Sequence, residues 1–172
     1  MAEERKGAVT FKGNPMTLVG PELKEGQPAP DFHLLDKGLG TVSLAASQGK
    51  VRILSVVPSL DTSVCAIQTK RFNDEAAKLP ADVVLYTISA DLPFAQARFC
   101  STEGTDRITT LSDHRDMSFG EAYGVLLKEL RLESRSVFVV GRDGTLKHAQ
   151  IVPEVTHEPN YQAVLDAAKA AV

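Results

Sequence analysis

Val51-Arg52-Ile53-Leu54-Ser55-Val56-Val57-Pro58-Ser59-Leu60-Asp61-Thr62-Ser63-Val64-Cys65 is the stretch on which the fold turns. Its first half, Val51 to Val57, is short, β-branched and apolar on both faces, as a strand covered on both sides is. Arg52 and Ser55 interrupt the run and Pro58 ends it, well short of the ~18–20 apolar residues of a membrane span. Beyond the loop the period changes. Phe72, Ala76 and Leu79 recur at helical spacing and Pro80 closes the pattern. Strand, loop and helix in that order form the unit of an open α/β sheet, whose ligand sites lie at the C-terminal ends of the strands. Cys65 falls at such an end, in the first turn of the helix.

Outward from this unit the alternation continues. Val83 to Ile88 reads as a second buried strand. Asp91-Leu92-Pro93 reads as a helix start, with the helix running through Phe99 and Cys100 to about Gly104. Ile108 to Leu111 is a third strand, and a short helix lies around Phe119 to Tyr123. Val137 to Val140 and Leu146 to Val152 flank Asp143-Gly144, a hairpin signal. From Tyr161 onward Val164, Leu165, Ala168 and Val172 share a face, which predicts a closing amphipathic helix. Toward the N-terminus, Val9 to Lys12 and Met16 to Val19 flank Gly13-Asn14-Pro15, a second hairpin. A Pro/Gly connector, Gly26 to Pro30, follows, and Val42 to Leu44 is a short strand. The order predicts a mixed central sheet flanked by helices, preceded by an N-terminal β-hairpin. A thioredoxin-like α/β layout fits it.

The chain has 172 residues, 43% hydrophobic and 24% charged, which predicts a single domain over residues 1–172 with a sizeable core. Nineteen basic against 22 acidic residues give a net charge of −3, without the basic excess of a nucleic-acid binder. Met1 to Lys6 reads as charged, with no apolar segment behind it, so the expectation is a soluble cytoplasmic protein without a secretory signal or membrane contact. Two cysteines, 35 positions apart, make no disulfide framework. The four histidines, His33, His114, His148 and His157, are scattered and offer no metal-ligand spacing. If the cysteines carry function, they carry it as thiols.

A thiol in the first turn of a helix meets the positive end of the helix dipole and unpaired N–H groups, which favour thiolate. Thr62, three residues upstream, is placed to cap the turn or to hydrogen-bond a ligand near the sulfur, and Pro58 fixes the chain direction. A lone cysteine is as ordinarily a small buried hydrophobe, and an Asp or Thr before a helix an ordinary cap. Position alone leaves both readings open.

Pro58, Thr62 and Cys65 match the Pro-x-x-x-Thr-x-x-Cys signature of the peroxiredoxins, and Pro58 to Cys65 as a whole resembles their thiol peroxidase branch, of the atypical two-cysteine type. Ser89-Ala90-Asp91-Leu92-Pro93-Phe94-Ala95-Gln96-Ala97-Arg98-Phe99-Cys100 resembles the segment with that branch's second cysteine. Gly13-Asn14-Pro15 with Val19-Gly20, Tyr123-Gly124-Val125 and Glu158-Pro159-Asn160-Tyr161 agree as well, so the resemblance covers nearly the whole chain.

The resemblance implies a peroxidase for hydrogen peroxide and organic hydroperoxides. Cys65 would be the peroxidatic thiolate, with Thr62 and Pro58 shaping its pocket, and Cys100 the resolving thiol that forms a redox-active disulfide with it. An arginine from a facing strand maps to Arg135. Family members commonly carry Gly, Leu and Ala ahead of that arginine. Here Leu130-Arg131-Leu132-Glu133-Ser134-Arg135-Ser136 holds three charges in seven residues, so Arg131 and Arg98 stand as alternatives. Thioredoxin is the implied reductant and a homodimer the implied assembly, and sulfur carries the electrons without haem, flavin or metal. Leu60, Phe94 and Leu126 are candidates for an organic-peroxide channel or for core. Two cysteines on separate helices are expected to start farther apart than the ~7 Å between Cα atoms that a disulfide allows, which predicts unwinding at both during each cycle. The rival readings are a cysteine hydrolase using His148 or His157 as base and a non-catalytic redox-sensing module.

Overall fold

The computed structural model describes residues 2–172. The chain opens with a hairpin of β1 (Glu4–Phe11) and β2 (Asn14–Val19), followed by β3 (His33–Leu35), β4 (Thr41–Ser43) and a 3₁₀ turn over Leu44–Ser47. Then come β5 (Val51–Val56), α1 (Ser63–Ala76), β6 (Val83–Ser89), α2 (Pro93–Glu103) and β7 (Thr109–Ser112). α3 (Ser118–Ala122), β8 (Leu126–Leu127), β9 (Leu132–Glu133), β10 (Ser136–Val140), β11 (Leu146–Ile151) and α4 (Tyr161–Ala170) complete it.

Seven strands form the central sheet in the order β11-β10-β5-β6-β7-β3-β4. β5, β6 and β7 run parallel, while β10, β11, β3 and β4 pair antiparallel at the flanks. β5 lies at the centre with all six residues buried. Its side chains alternate between the two faces. Leu54 and Val56 join Ile88, Phe119, Tyr123 and Phe138 on one side, while Val51 and Ile53 join Phe72, Val139, Val164 and Ala168 beneath α1 and α4 on the other. The fold is thioredoxin-like, as its order of elements predicts.

Several features differ from the sequence reading; α1, for one, ends at Ala76 rather than running through Leu79 to Pro80. A second sheet, β1-β2-β8-β9, exists because the hairpin pairs with two-residue strands that have no periodicity of their own. The hairpin turn is Lys12-Gly13, both at positive φ (50° and 81°), and Asn14 and Pro15 belong to β2; two positive φ values give the twist that a two-residue hairpin needs. Leu44 begins the 3₁₀ turn rather than ending β4. α4 stops at Ala170, which leaves Val172 48% exposed instead of on the buried face.

Where the hairpin leaves toward the core it passes α3 so closely that only glycine fits. A Cβ on Gly20 would lie 2.0 Å from the Glu121 carbonyl oxygen, and one on Gly124 1.9 Å from that of Pro21. Arg5 closes the same seam by donating to the carbonyls of Gly20 and Gly124.

Candidate active site

β5 ends at Val56, and Val57 to Thr62 turn the chain into α1. Thr62 is the N-cap residue in extended conformation, and its side chain makes no cap hydrogen bond. Its hydroxyl donates instead to the Ser59 carbonyl at 3.0 Å. Of the two roles expected of it the cap is not taken, which leaves first-turn N–H groups without a side-chain acceptor and the Thr62 oxygen able to accept a proton donor. Pro58 is buried beneath this turn.

Cys65 is the third residue of α1 and fully buried, packed with Val57, Leu60 and Phe99. Arg135 lies just before β10, the neighbour of β5 in the sheet, and its Nη2 donates to Cys65 Sγ at 3.2 Å. The guanidinium is 2% exposed, and its other nitrogens are fixed as well. Nε donates to the Val155 carbonyl at 2.7 Å and Nη1 to Gln68 Oε1 at 2.8 Å. The alternatives fall away: Arg131 is exposed at the turn after β8, and Arg98 is exposed on α2.

Gln68 and Ser55 escaped the sequence reading. Gln68 lies one helical turn beyond Cys65 and is fully buried; besides receiving Arg135 it donates through Nε2 to Ser55 Oγ at 2.8 Å. Ser55, one of the two polar breaks in the apolar run, is thus the floor of the site. A polar break in a covered strand was the one sequence signal available for this pair.

Over the first turn of α1 lies a groove of about 440 Å³, bounded by Leu60, Thr62 and Ser63 on one side and by Ala95, Arg98 and Phe99 of α2 on the other. Leu60 and Leu126 are core side chains, whereas Phe94 is 66% exposed at the start of α2. Cys100 is half-buried on a different side of α2. It lines a separate cleft of about 720 Å³ with Ala97, Ser101 and residues of β7. The larger cleft therefore belongs to Cys100 and not to Cys65, and both thiols are free. His148 lies on β11 with Nδ1 3.9 Å from Glu25, and burial lowers its pKa. His157 is exposed in the loop before α4. Among the described residues Arg135 is the side chain hydrogen-bonded to the Cys65 sulfur.

A thioredoxin-like protein with a cysteine buried at the first turn of a helix and a buried guanidinium on its sulfur is the class that fold and site define. The Redoxin family profile matches residues 24–165. The thiol peroxidase of Bacillus subtilis (strain 168) is 60% identical over 164 residues, covering 95% of this chain and 98% of that one. The thiol peroxidase of Listeria innocua is 57% identical over 163 residues, covering 95% and 98%. The crystal structure of a peroxiredoxin-like protein from Aquifex aeolicus superposes with a TM-score of 0.90 at 39% identity, covering 99% of both chains. The chain belongs to the Redoxin family.

Proposed function

We propose that this peroxiredoxin-type, thiol-dependent peroxidase works through Cys65, with Arg135 as the electrostatic partner of its sulfur. The observation that carries the reading is the guanidinium donating to Sγ at 3.2 Å, with both side chains buried. Arginine stays charged when buried, so a fixed positive group faces the sulfur, whose thiolate is the nucleophilic form. The sulfur attacks the distal oxygen of a hydroperoxide, the S–O bond forms as the O–O bond breaks, and the leaving alkoxide or hydroxide takes a proton. Cys65 becomes a sulfenic acid. Of the five N–H groups of a guanidinium, three are engaged by Val155, Gln68 and the sulfur. The two that remain are available to the leaving oxygen, where negative charge grows and stabilisation counts most. The Thr62 oxygen is the acceptor for the hydroperoxide O–H, and Pro58 holds the loop in place.

Cys100 then attacks the sulfenic acid, giving a disulfide and water, and a thioredoxin-type dithiol returns both thiols. Substrates of this chemistry are hydrogen peroxide and organic hydroperoxides. Two free cysteines suit a reducing, cytoplasmic setting. Among the described residues no helix is long and apolar enough to cross a membrane. Leu92 and Phe94, 51% and 66% exposed beside the groove, are the apolar surface that a homodimer would cover.

The test compares wild type, Cys65→Ser and Cys100→Ser in a peroxide assay coupled to a thioredoxin system. Cys65→Ser is expected to lose all activity. Cys100→Ser should consume one equivalent of peroxide and then stop. Sustained turnover by Cys65→Ser would remove the assignment altogether.

A further inference from the structure

Asp91 stands between β6 and α2, the helix that carries Cys100. It does not cap that helix, because Leu92 holds the cap position. Its carboxylate turns the other way, onto the loop before Cys65. Oδ1 accepts the Ser59 hydroxyl at 2.7 Å and Oδ2 the Leu60 N–H at 2.8 Å. Oδ2 also accepts the Ser89 hydroxyl at 2.7 Å, and Ser89 Oγ in turn receives Gln96 Nε2 at 3.0 Å from within α2. The Asp91 carbonyl takes the Ser112 hydroxyl at 2.5 Å from the end of β7. From Ser59 the contacts run on toward the sulfur. Its Oγ receives the Asp61 N–H at 3.2 Å, and its carbonyl receives the Thr62 hydroxyl and N–H at 3.0 and 3.1 Å.

We propose that Asp91 is a positioning residue that latches the Cys65 loop to the base of the Cys100 helix, so that its release opens both segments together. The inference rests on the reading of Cys65 and Cys100 as peroxidatic and resolving thiols. Cys65 packs against Phe99 and Leu60, which line the groove over the first turn of α1, while Cys100 faces another cleft. Neither sulfur reaches the other until both segments loosen. Two independent openings would rarely coincide, whereas segments that share one anchor open in concert. Hydrogen bonds to a carboxylate are the strong kind, so the latch also sets how long Cys65 stays in the conformation that meets peroxide. Two fates compete for its sulfenic acid. Cys100 converts it to a disulfide with release of water, or a second hydroperoxide converts it to a sulfinic acid with release of the alcohol or of water. Holding the latch closed favours the second fate.

Three variants test this in the full chain: Asp91→Ala, which removes both carboxylate acceptors and leaves the backbone carbonyl to Ser112; Asp91→Asn, whose amide oxygen still accepts the Leu60 N–H; and Ser59→Ala. Each is exposed to graded hydrogen peroxide, quenched by alkylation and resolved by mass into disulfide and sulfinic acid. Asp91→Ala should raise the disulfide-to-sulfinic ratio about tenfold, the scale of one lost charge-assisted hydrogen bond. Asp91→Asn should fall between Asp91→Ala and wild type, and Ser59→Ala should move in the same direction. A role in stability alone would lower the melting temperature and leave the ratio where it was. A ratio within twofold of wild type in those variants that fold, or a shift toward sulfinic acid, overturns the latch. First-step oxidation of Cys65 in Cys100→Ser protein is measured alongside; if it is absent the peroxidase reading fails, independently of Asp91.

Discussion

Arg135 reaches the Cys65 sulfur along a fixed line because its other two nitrogens are already held, and Gln68 holds one of them. Cutting Gln68 back to alanine leaves Nη1 and the Ser55 hydroxyl without their partner inside the protein. An unpaired buried polar group costs about 1–3 kcal/mol, and a guanidinium that can swing stabilises the leaving oxygen less well. Gln68→Ala is therefore expected to slow oxidation of Cys65 by about tenfold or more. Arg135→Met removes the donor itself and should cost a further decade, within the about 10²–10³ typical of a deleted oxyanion donor. Quenched-flow oxidation read by mass checks both variants, since the chain has no tryptophan to report the reaction. Arg135→Lys keeps the charge but loses the planar fork that serves three acceptors at once, and should lie near Arg135→Met rather than near wild type. At this scale the sequence was uneven. Pro58, Thr62 and Cys65 occupy one short motif, and Cys100 stands in another. Arg135 was placed by likeness to a family, because nothing in its neighbours marks it as buried. Gln68 was silent, Ser55 showed only as a polar break and Asp91 only as a helix start, since each acquires its role from a partner distant in the chain.

The N-terminal hairpin is remote from Cys65 in sequence, yet it braces the loop that steers Arg135. Thr10 exchanges backbone hydrogen bonds with Pro153 and Val155, and the Val155 carbonyl is the one that receives Arg135 Nε. Glu154 ties the same loop to the hairpin. Oε1 accepts from Thr10 Oγ1 at 3.0 Å and Gly13 N at 2.8 Å, and Oε2 from Thr156 N at 2.8 Å and Thr156 Oγ1 at 2.5 Å. Those donors, Thr156 foremost, hold the Glu154 carboxyl down to a pKa of about 2, against about 4.3 in an unfolded chain. A lowered folded-state pKa means stability that is complete above the unfolded value and is lost as pH falls toward 2. Glu154→Gln should shallow the decline of urea stability between pH 4.3 and 2, and should slow Cys65 oxidation modestly at neutral pH by loosening Val155. Elements with their own signal were legible: the apolar runs of β5 and β6, the Asp91-Leu92-Pro93 start of α2 (with Leu92 rather than Asp91 at its cap) and its Gly104 stop, and the Asp143-Gly144 hairpin. β8 and β9 were not, because two residues carry no period and are strands only by virtue of the hairpin beside them.

For the molecule as a whole, the seam between the two sheets holds a buried acid. Glu133 of the small sheet is fully buried, and neither carboxyl oxygen meets an N–H or O–H donor. The titratable groups facing it are Asp113 and, farther off, Asp91, from loops at the end of the large sheet. Burial, then the Asp113 charge, pushes the Glu133 carboxyl well above the ordinary range, and burial raises Asp113 too. Asp113 accepts the N–H groups of Phe119 and Gly120 at 3.2 and 2.9 Å, so it is the better anion. The proton belongs on Glu133, which then becomes a donor toward Asp113. Here the sign is opposite to that of Glu154. The unfolded chain gives up this proton above about pH 4.3, whereas the folded chain keeps it, so stability falls as pH rises, by up to about 1.4 kcal/mol per pH unit for each proton held. With Glu154 acting on the acid side, maximal stability should lie near pH 5, at the low end of the usual range. Glu133→Leu removes the buried acid and leaves Asp113 its two backbone donors. It should flatten the urea-stability profile from pH 5 to 8 and raise stability at pH 8. A profile as steep as that of wild type would place the proton on another group.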